Sequence, residues 1–381
     1  MRHRADARIP SLDGLRAISI ALVLVAHLAG TRNFPVSAAA GNFWGLGEFG
    51  VRVFFVISGF LITGLLMQEL ASEGHIRLGR FYLRRTLRIF PPYYTLLVAL
   101  GIAWAVGAVA LAPNDLAHGA TYTSNYYLGR SWFLGHTWSL SVEEQFYLLW
   151  PAALLLAGLR RGFLIAAAVV LLSPFIRVAE WELFRSAGAG VGMRFETVAD
   201  SIATGCLLAG ARAYLQATPL YQRVLGSPWF VVVPLLAIAG NLTHDHPLVL
   251  FGLGMSVANI AIALTIDWCV THYDGRVGRV LNAAPLVFIG WISYSLYLWQ
   301  QPFLNRASTS MVAAFPLNIV CAVALAVASY YIVERPALRL RKSIERAVFT
   351  PKAAPGADTS AHVRTLAGGP VRRSSGAGGV A

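Results

Sequence analysis

Charged side chains are scarce in this chain of 381 residues. Asp, Glu, Lys and Arg make up 13% of it, whereas an average soluble domain contains about 25%. Cysteine is scarce too, because the three residues Cys206, Cys269 and Cys321 lie far apart. That spacing predicts neither a disulfide framework nor a metal site. We therefore expect neither a soluble domain nor a disulfide-stabilised scaffold, and we expect no bound metal or cofactor.

Hydrophobic residues, by contrast, make up 56% of the chain. They fall in runs long enough to cross a bilayer core of about 30 Å. We count ten runs, at residues 14–31, 49–70, 91–111, 141–158, 162–179, 197–215, 229–242, 247–268, 284–304 and 312–333. The sequence thus predicts an all-α, polytopic integral membrane protein with about ten transmembrane helices.

The distribution of Lys and Arg predicts the orientation of these helices. With the N-terminus in the cytoplasm, the strongly basic segments all fall on the cytoplasmic side, at residues 2–8, 77–88, 160–161, 276–279 and 335–373. Both termini are then cytoplasmic. The net charge of +13 is explained by this topology and by contact with anionic lipid, so nucleic acid is not an expected partner.

The chain divides into a membrane domain, residues 1–340, and a tail, residues 341–381. The tail opens with basic residues, and from Pro351 it is rich in Gly, Ala, Ser and Pro, a composition typical of disorder. No internal repeat is visible, which weakens the prediction of an inverted-repeat transporter.

The first apolar run contains an arginine and a histidine, which are costly at membrane depth. Arg16 and His27 are eleven residues apart, so they share one helical face with a rise of about 16 Å between them. Asp13 lies one turn before Arg16. Intramembrane ionisable groups usually face a cavity and act there, which makes His27 a candidate general base. The structural alternatives are a hydrogen-bonded buried histidine and an arginine that extends to the membrane interface.

Arginines are concentrated just before the third apolar run. Arg85 and Arg88 form one pair on a helix, and Pro91 and Pro92 are expected to end that helix. A second face is marked by Arg77, Arg80, Arg84 and Arg88. The segment is either an anchor at lipid phosphates or a guanidinium cluster that binds the phosphates of a cytoplasmic donor, and the spacing does not separate the two.

The fourth apolar run opens with two glutamates. Ser141 and Glu144 have the spacing of a capping box, so Glu144 has a structural role available. Glu143 points elsewhere, either as an exposed interfacial carboxylate or as a group that orients His27 or binds the acceptor. Three nearby aromatic residues suit a membrane interface or a sugar ring, namely Trp138, Tyr147 and Trp150.

Isolated polar residues occur in three other runs. Ser58 is expected to form an interhelical hydrogen bond, because no nucleophile-elbow motif surrounds it. Asp200 is expected to form a structural ion pair with Arg194, Arg52 or Arg177. The ninth run has polar groups typical of a cavity lining, and these include Ser293, Tyr297 and Gln300.

Together these segments resemble the acyltransferase 3 family of integral membrane acyltransferases. The matching pieces follow the family's order and cover residues 9 to 340. They are Leu12-Asp13-Gly14-Leu15-Arg16 with His27, Phe54-Phe55-Val56-Ile57-Ser58-Gly59-Phe60, Arg84-Arg85-Thr86-Leu87-Arg88, Trp138-Ser139-Leu140-Ser141-Val142-Glu143-Glu144-Gln145-Phe146-Tyr147, Ser293-Tyr294-Ser295-Leu296-Tyr297, and Glu334-Arg335-Pro336.

The resemblance implies ten membrane helices and transfer of an acyl group, often acetyl, from a cytoplasmic thioester such as acetyl-CoA. Its acceptors are hydroxyls of cell-surface carbohydrates, lipid-linked sugars or small molecules. It also implies that Arg16, His27, Arg85, Arg88 and Glu143 belong to the site. Many members have histidine where this chain has glutamine at position 300, and some carry an extracytoplasmic esterase-like domain. The chain resembles the stand-alone type without that domain.

We therefore hypothesise a bacterial inner-membrane O-acyltransferase with an acyl-CoA donor and a carbohydrate or glycolipid acceptor. His27 would deprotonate the acceptor, Arg16 or Ser58 would stabilise the thioester oxyanion, and Glu143 or Asp13 would orient His27 or hold substrate. Arg84, Arg85 and Arg88 would bind the donor, and the supporting residues are Asp13, Ser58, Trp138, Tyr147, Asp200, Tyr297 and Gln300. The rival class is a transporter or flippase of a glycolipid or polysaccharide repeat unit, which leaves the histidine and the arginine cluster unexplained.

Overall fold

The computed structural model describes residues 9–36, 43–184, 190–241 and 246–349, and the regular structure of these residues is helical throughout. Short helical turns connect some of the longer elements. The α-helices are α1 Leu12–Leu28, α2 Phe43–Glu73, α3 Leu78–Ala105, α4 Asp115–Ala120, α5 Thr137–Leu183, α6 Phe195–Ala217, α7 Pro219–Leu225, α8 Val232–Asn241, α9 Pro247–Val249, α10 Met255–Thr271, α11 Arg276–Leu281, α12 Ala284–Phe303, α13 Leu317–Ser329 and α14 Arg335–Phe349.

Each of the ten predicted apolar runs overlaps a helix. Five described helices are long and apolar enough to cross a membrane, and a pair bent by 69° adds a sixth candidate. The five are Gly45–Glu73, Leu78–Ala105, Trp132–Leu183, Pro247–Thr271 and Leu317–Phe349, and the bent pair is Pro219–Leu225 with Pro228–Asn241. The prediction of an all-α polytopic membrane protein is confirmed, whereas the count of ten and the side of each terminus stay predictions.

The longest helix contains two of the predicted spans, and they separate at Gly158. This residue has φ 76° and ψ 166°, a conformation that breaks the helix and that glycine adopts without steric cost. Beyond it, Gly162 packs against Leu154, where an added Cβ would lie 2.4 Å from a leucine methyl carbon. Eight residues of straight helix would separate the two by about 12 Å. The chain therefore folds back at Gly158, and residues 137–157 and 159–183 form two helical arms.

The expected helix end at Pro91 and Pro92 is wrong, because α3 runs through both prolines to Ala105. Without their N–H groups, the carbonyls four residues earlier lose their helical partners. The Thr95 hydroxyl donates to the Pro91 carbonyl at 2.7 Å within the same segment. As a result, the arginine segment and the following apolar run form one continuous helix.

Helices α2 and α6 cross at the centre of the bundle, with α1 beside α2 and α5 beside α6. Glycines permit the close crossing: a Cβ on Gly59 would lie 1.9 Å from the carbonyl oxygen of Ile202, and a Cβ on Gly205 would lie 2.1 Å from that of Val56. This contact fixes the position of Ser58. Helix α12 packs against α1 and α13 on the other side.

The segment between α3 and α5 is held by two charged residues. Asp115 accepts hydrogen bonds from the backbone N–H groups of Ala112 and Ser131, the first at 2.8 Å. Arg130 donates to the carbonyls of Tyr127 and Gly135 at 2.8 and 3.1 Å. These bonds fix the backbone immediately before α5.

The predicted boundary between the membrane domain and the tail at residue 340 falls inside α14, which packs beside α3. The remainder of the predicted tail, residues 350–381, lies outside the described residues, as do residues 1–8.

Candidate active site

A cavity of about 100 Å³ lies where α1, α2, α3, α5 and α12 meet. Seven of the thirteen predicted site residues line it, namely Arg16, Ser58, Arg85, Arg88, Glu143, Tyr147 and Tyr297. Ser139, Ser293 and Tyr294 add hydroxyl groups to the wall. The ninth apolar run therefore lines a cavity, as its polar residues predicted.

Two of the predicted donor-binding arginines face this cavity. The Arg85 guanidinium lies 4.0 Å from the centre of the Tyr147 ring, in a cation–π contact. Among the described residues, neither Arg85 nor Arg88 donates a hydrogen bond through its guanidinium, so the N–H groups of both are available to a ligand. The third predicted donor residue, Arg84, lies outside the lining and donates to Glu345 of α14 at 2.5 Å. The structure therefore groups Arg85 with Arg88 and separates both from Arg84.

Ser58, Glu143 and Tyr147 form one hydrogen-bonded cluster. The Ser58 hydroxyl donates to Glu143 Oε1 at 2.6 Å. The Tyr147 hydroxyl also donates to that oxygen and contacts Ser58. Ser58 thus forms the predicted interhelical hydrogen bond, and Glu143 is not the exposed carboxylate of the structural alternative. Tyr147 is 2% exposed, so its ring packs inside the helix bundle and does not face lipid.

Arg16 enters the cavity from the start of α1 and keeps its predicted neighbour. Asp13 Oδ1 lies 3.5 Å from Arg16 Nη1, and Asp13 Oδ2 accepts a hydrogen bond from Trp291 at 3.2 Å. Asp13 itself lies outside the cavity lining. Glu334 is a further buried carboxylate; it is 2% exposed and accepts a hydrogen bond from the Ser295 hydroxyl at 3.0 Å.

His27 belongs to a second polar group, outside the cavity lining. Its Nδ1 lies 2.7 Å from Gln300 Oε1, and Gln300 Nε2 donates to Gln301 Oε1 at 3.0 Å. The Trp132 ring packs edge-on against His27, with 5.4 Å between ring centroids. Gln300, rather than Glu143 or Asp13, is thus the partner of Nδ1, and the role of Glu143 or Asp13 in holding substrate stays a prediction. Gln300 is fully buried and uses its amide in these contacts rather than facing a substrate.

Tyr297 and Ser139 form a hydroxyl pair at the wall of the cavity. Their hydroxyl oxygens are 2.6 Å apart, and both side chains line the cavity. The Tyr297 hydroxyl also donates to the carbonyl of His136 at 3.1 Å. His136 is 3% exposed. The cavity and the His27 group are thus connected along α12, where the cavity-lining Tyr297 lies one turn before Gln300.

The predicted capping box is wrong because α5 begins four residues before Ser141. The Ser141 hydroxyl donates instead to the Thr137 carbonyl of the preceding turn, at 3.0 Å. Glu144 therefore does not cap the start of the helix. Its buried Oε1 lacks a hydrogen-bond partner among the described residues. Trp150, a predicted interfacial residue, is buried and donates to Thr63 at 2.9 Å.

Asp200 forms the structural ion pair predicted for it. Arg177 Nη1 lies 2.8 Å from Asp200 Oδ2, and both side chains are fully buried. Asn259 donates to the same oxygen at 3.0 Å. Trp138 packs edge-on against Phe55, with 6.1 Å between ring centroids. Neither Asp200 nor Trp138 lines the cavity that contains Arg16 and Arg85, so both of these predicted supporting residues lie outside it.

Two polar residues of this region, His136 and Glu334, received no role from the sequence. Glu334 directly follows the last apolar run and lies inside a segment that carries the family resemblance, whereas His136 lies five residues before the fourth run and two before the nearest such segment. Their burial was the missing information, since a charged or polar side chain just outside an apolar run usually reaches water. Burial is visible only once the neighbouring helices are in place.

Comparisons with known proteins agree with this arrangement of motifs. The family model described as an acyltransferase domain, of the acyltransferase 3 family, matches residues 9–335. The chain is 27% identical to the peptidoglycan O-acetyltransferase OatA of Listeria monocytogenes, over 86% of this chain and 54% of the relative. No solved structure matches it.

Two other relatives have similar coverage. The Bacillus subtilis protein YrhL, provisionally named as a peptidoglycan O-acetyltransferase, is 28% identical over 90% of this chain and 57% of its own length. A provisionally named O-acetyltransferase of Staphylococcus aureus is 29% identical over 88% of this chain and 58% of its own length. The chain thus spans a little over half the length of these relatives. The prediction of an acyltransferase is confirmed, and the chain belongs to the acyltransferase 3 family.

Proposed function

We propose that the protein is an O-acetyltransferase of a bacterial plasma membrane. It would transfer acetyl from cytoplasmic acetyl-CoA to a hydroxyl of a cell-wall polysaccharide, as the names of the relatives suggest for those proteins. The observation that carries the proposal is the cavity in which Arg16, Arg85 and Arg88 meet the Ser58–Glu143–Tyr147 cluster. His27 contacts Gln300, one turn beyond the cavity-lining Tyr297 on α12, so the donor site and the base would be neighbours.

The donor half of the proposal rests on Arg85 and Arg88. Both line the cavity from the basic part of α3, which the distribution of Lys and Arg predicts to be cytoplasmic. Guanidinium groups bind phosphates through paired, charge-assisted hydrogen bonds. The CoA phosphates would bind there, with the acetylated thiol end directed into the cavity. Because the Ser58 hydroxyl already donates to Glu143, Arg16 is the better placed of the two predicted groups to stabilise the thioester oxyanion.

The acceptor half rests on the tautomer of His27. Gln300 Nε2 donates to Gln301, which directs Gln300 Oε1 toward His27 Nδ1. An amide oxygen accepts hydrogen bonds, so Nδ1 carries the hydrogen and Nε2 holds the lone pair. A general base needs that lone pair to take the proton of a hydroxyl. Gln300 would therefore be a positioning residue for His27.

A reaction between the two halves would need a path from the cavity to His27, and Ser139 with Tyr297 would be the gate of that path. Both hydroxyls line the donor cavity, and the Tyr297 side chain is held by hydrogen bonds to Ser139 and to the His136 carbonyl. A rotation of the tyrosine would open the donor cavity toward His27. Such gating steps complete many catalytic sites only after substrate binds.

A transfer assay tests the proposal. The full chain, purified and reconstituted in lipid nanodiscs, is mixed with acetyl-CoA labelled in the acetyl group and with soluble peptidoglycan fragments. We expect base-labile label on the glycan and an equal amount of free CoA. The absence of both label transfer and CoA release would contradict the proposal and would favour the transporter class. Release of CoA without labelled glycan would support acetyl-CoA as the donor and would refute peptidoglycan as the acceptor.

A further inference from the structure

We propose that Val51, Phe55 and Leu140 select the acyl group of the donor, so that the site accepts acetyl and excludes longer acyl chains. The inference rests on the proposed function. It starts from one wall of the donor cavity, which is apolar although the cavity also contains three arginines. The three proposed residues are buried, and all of them line this cavity.

The contacts between α2 and α5 show how this wall is oriented. The Phe55 ring packs edge-on against Trp138, with 6.1 Å between ring centroids. Further along both helices, Trp150 donates a hydrogen bond to Thr63 at 2.9 Å. Because the contacts follow the same order along α2 and α5, the two helices run in the same direction. Earlier positions on both helices therefore lie at the same end of the cavity.

That end is remote from Arg85. The Arg85 guanidinium lies 4.0 Å from the centre of the Tyr147 ring, and Leu140 precedes Tyr147 by seven residues of α5, a rise of about 10 Å. Val51 precedes Ser58 by seven residues of α2, and the Ser58 hydroxyl contacts that of Tyr147. Val51 and Leu140 thus both lie about 10 Å along the cavity from the level of Arg85.

The remote end is also where the acyl group must react. Ser139 precedes Leu140 on α5, lines the cavity and pairs with the Tyr297 hydroxyl. In the proposed function this pair is the gate toward His27, so the acyl carbon has to lie beside it. A donor whose phosphates bind Arg85 therefore places its acyl chain against the apolar wall.

This wall closes the cavity against a second one. A smaller cavity of about 10 Å³ is lined by Trp138 and Val198, which are absent from the lining of the donor cavity. Val51 and Phe55 line both cavities, so their side chains form the partition. A longer acyl chain would have to displace these packed side chains, and overfilling a packed site is unfavourable. A shorter side chain at position 51 should instead open the acyl end toward the second cavity.

The test compares acetyl-CoA, propionyl-CoA and butyryl-CoA as donors for the full chain in nanodiscs, with peptidoglycan fragments present and free CoA as the readout. One methylene in an apolar pocket changes kcat/KM by about 10- to 200-fold, so wild type should use butyryl-CoA at least about 100-fold less well than acetyl-CoA. Val51→Ala should reduce this ratio by about tenfold or more. Val53→Ala is the matched control, because Val53 lies on the same helix and lines neither cavity, and it should keep the wild-type ratio.

The inference is overturned if wild type uses acetyl-CoA and butyryl-CoA with equal kcat/KM, if Val51→Ala leaves the ratio unchanged, or if Val53→Ala changes it equally. Should Val51→Ala not fold, Leu140→Val decides, since it shortens another side chain at the same end of the cavity. It should raise the relative use of propionyl-CoA, and an unchanged preference would refute the inference. Failure of the wild-type protein to release CoA from acetyl-CoA would instead refute the proposed function.

Discussion

Replacing Arg85 with alanine should weaken the use of acetyl-CoA while leaving the fold intact. Arg85 lines the cavity and offers its N–H groups to a ligand. A hydrogen bond to a charged group contributes about 1.5–3 kcal/mol, which corresponds to a rise of about 10- to 150-fold in the KM for acetyl-CoA. Its contact with Tyr147, 4.0 Å from the ring centre, adds only about 0.5–2 kcal/mol to stability.

The assay is the initial rate of label transfer at increasing acetyl-CoA concentration. Arg84→Ala is the matched comparison, because the neighbouring arginine is bonded to Glu345 and lies outside the cavity. We expect its KM to change by no more than about twofold, as for other partly exposed ion pairs. The KM of Arg85→Lys should fall between those of wild type and Arg85→Ala, since lysine keeps the charge and loses the paired donors.

A shortened donor substrate shows whether the effect of Arg85→Ala arises at the CoA phosphates. Acetyl-pantetheine lacks the nucleotide and its phosphates, so Arg85→Ala and wild type should use it at the same rate. Equal effects of Arg84→Ala and Arg85→Ala, or an equal loss with acetyl-pantetheine, would refute the assignment of Arg85 to the donor phosphates.

Three further changes test other parts of the structure. Glu143→Gln should lower transfer by about tenfold or more while the Tm holds, because the cluster loses the carboxylate that accepts the Ser58 and Tyr147 hydroxyls; wild-type kinetics would contradict this. Arg177→Met should cost about 3–5 kcal/mol by leaving the Asp200 charge buried and unpaired, so detergent-solubilised protein should melt far below wild type, and an unchanged melting curve would count against it. Gly158→Ala should cost about 1–3 kcal/mol through backbone strain at φ 76°, and a Tm equal to that of wild type would show that the turn tolerates a Cβ.

Local periodicity predicted the parts of the site that one helix determines. Arg85 and Arg88 lie one turn apart, so both could be expected on one face, and both line the cavity. The polar residues of the ninth apolar run predicted a cavity lining in the same way. Asp200 needed a cation because an unpaired carboxylate is costly in a membrane, and Arg177 was among the three predicted partners.

Contacts between distant helices were not readable from the sequence. Gln300 is 273 residues from His27, and Glu345 is 261 residues from Arg84. Neither pairing has a local signal, because both depend on which helices pack together. The burial of His136 was hidden for the same reason.

Helix boundaries failed where a short local motif competed with a longer helix. Ser141 and Glu144 had the spacing of a cap, but α5 begins at Thr137 and converts them into interior positions. Pro91 and Pro92 predicted a stop, but the helix continues through them. In both cases the energetic gain of packing a long helix in the bundle outweighs one local signal.

The central claim is that His27 and the arginine-lined cavity act together in acetyl transfer. The most direct measurement is the rate of label transfer from acetyl-CoA to peptidoglycan fragments by His27→Gln beside wild type, both in nanodiscs and both with the same Tm. The account predicts a loss of about 100-fold or more, since a general base contributes about 10²–10⁴ to the rate, with the KM for acetyl-CoA preserved. Transfer by His27→Gln at the wild-type rate would contradict it.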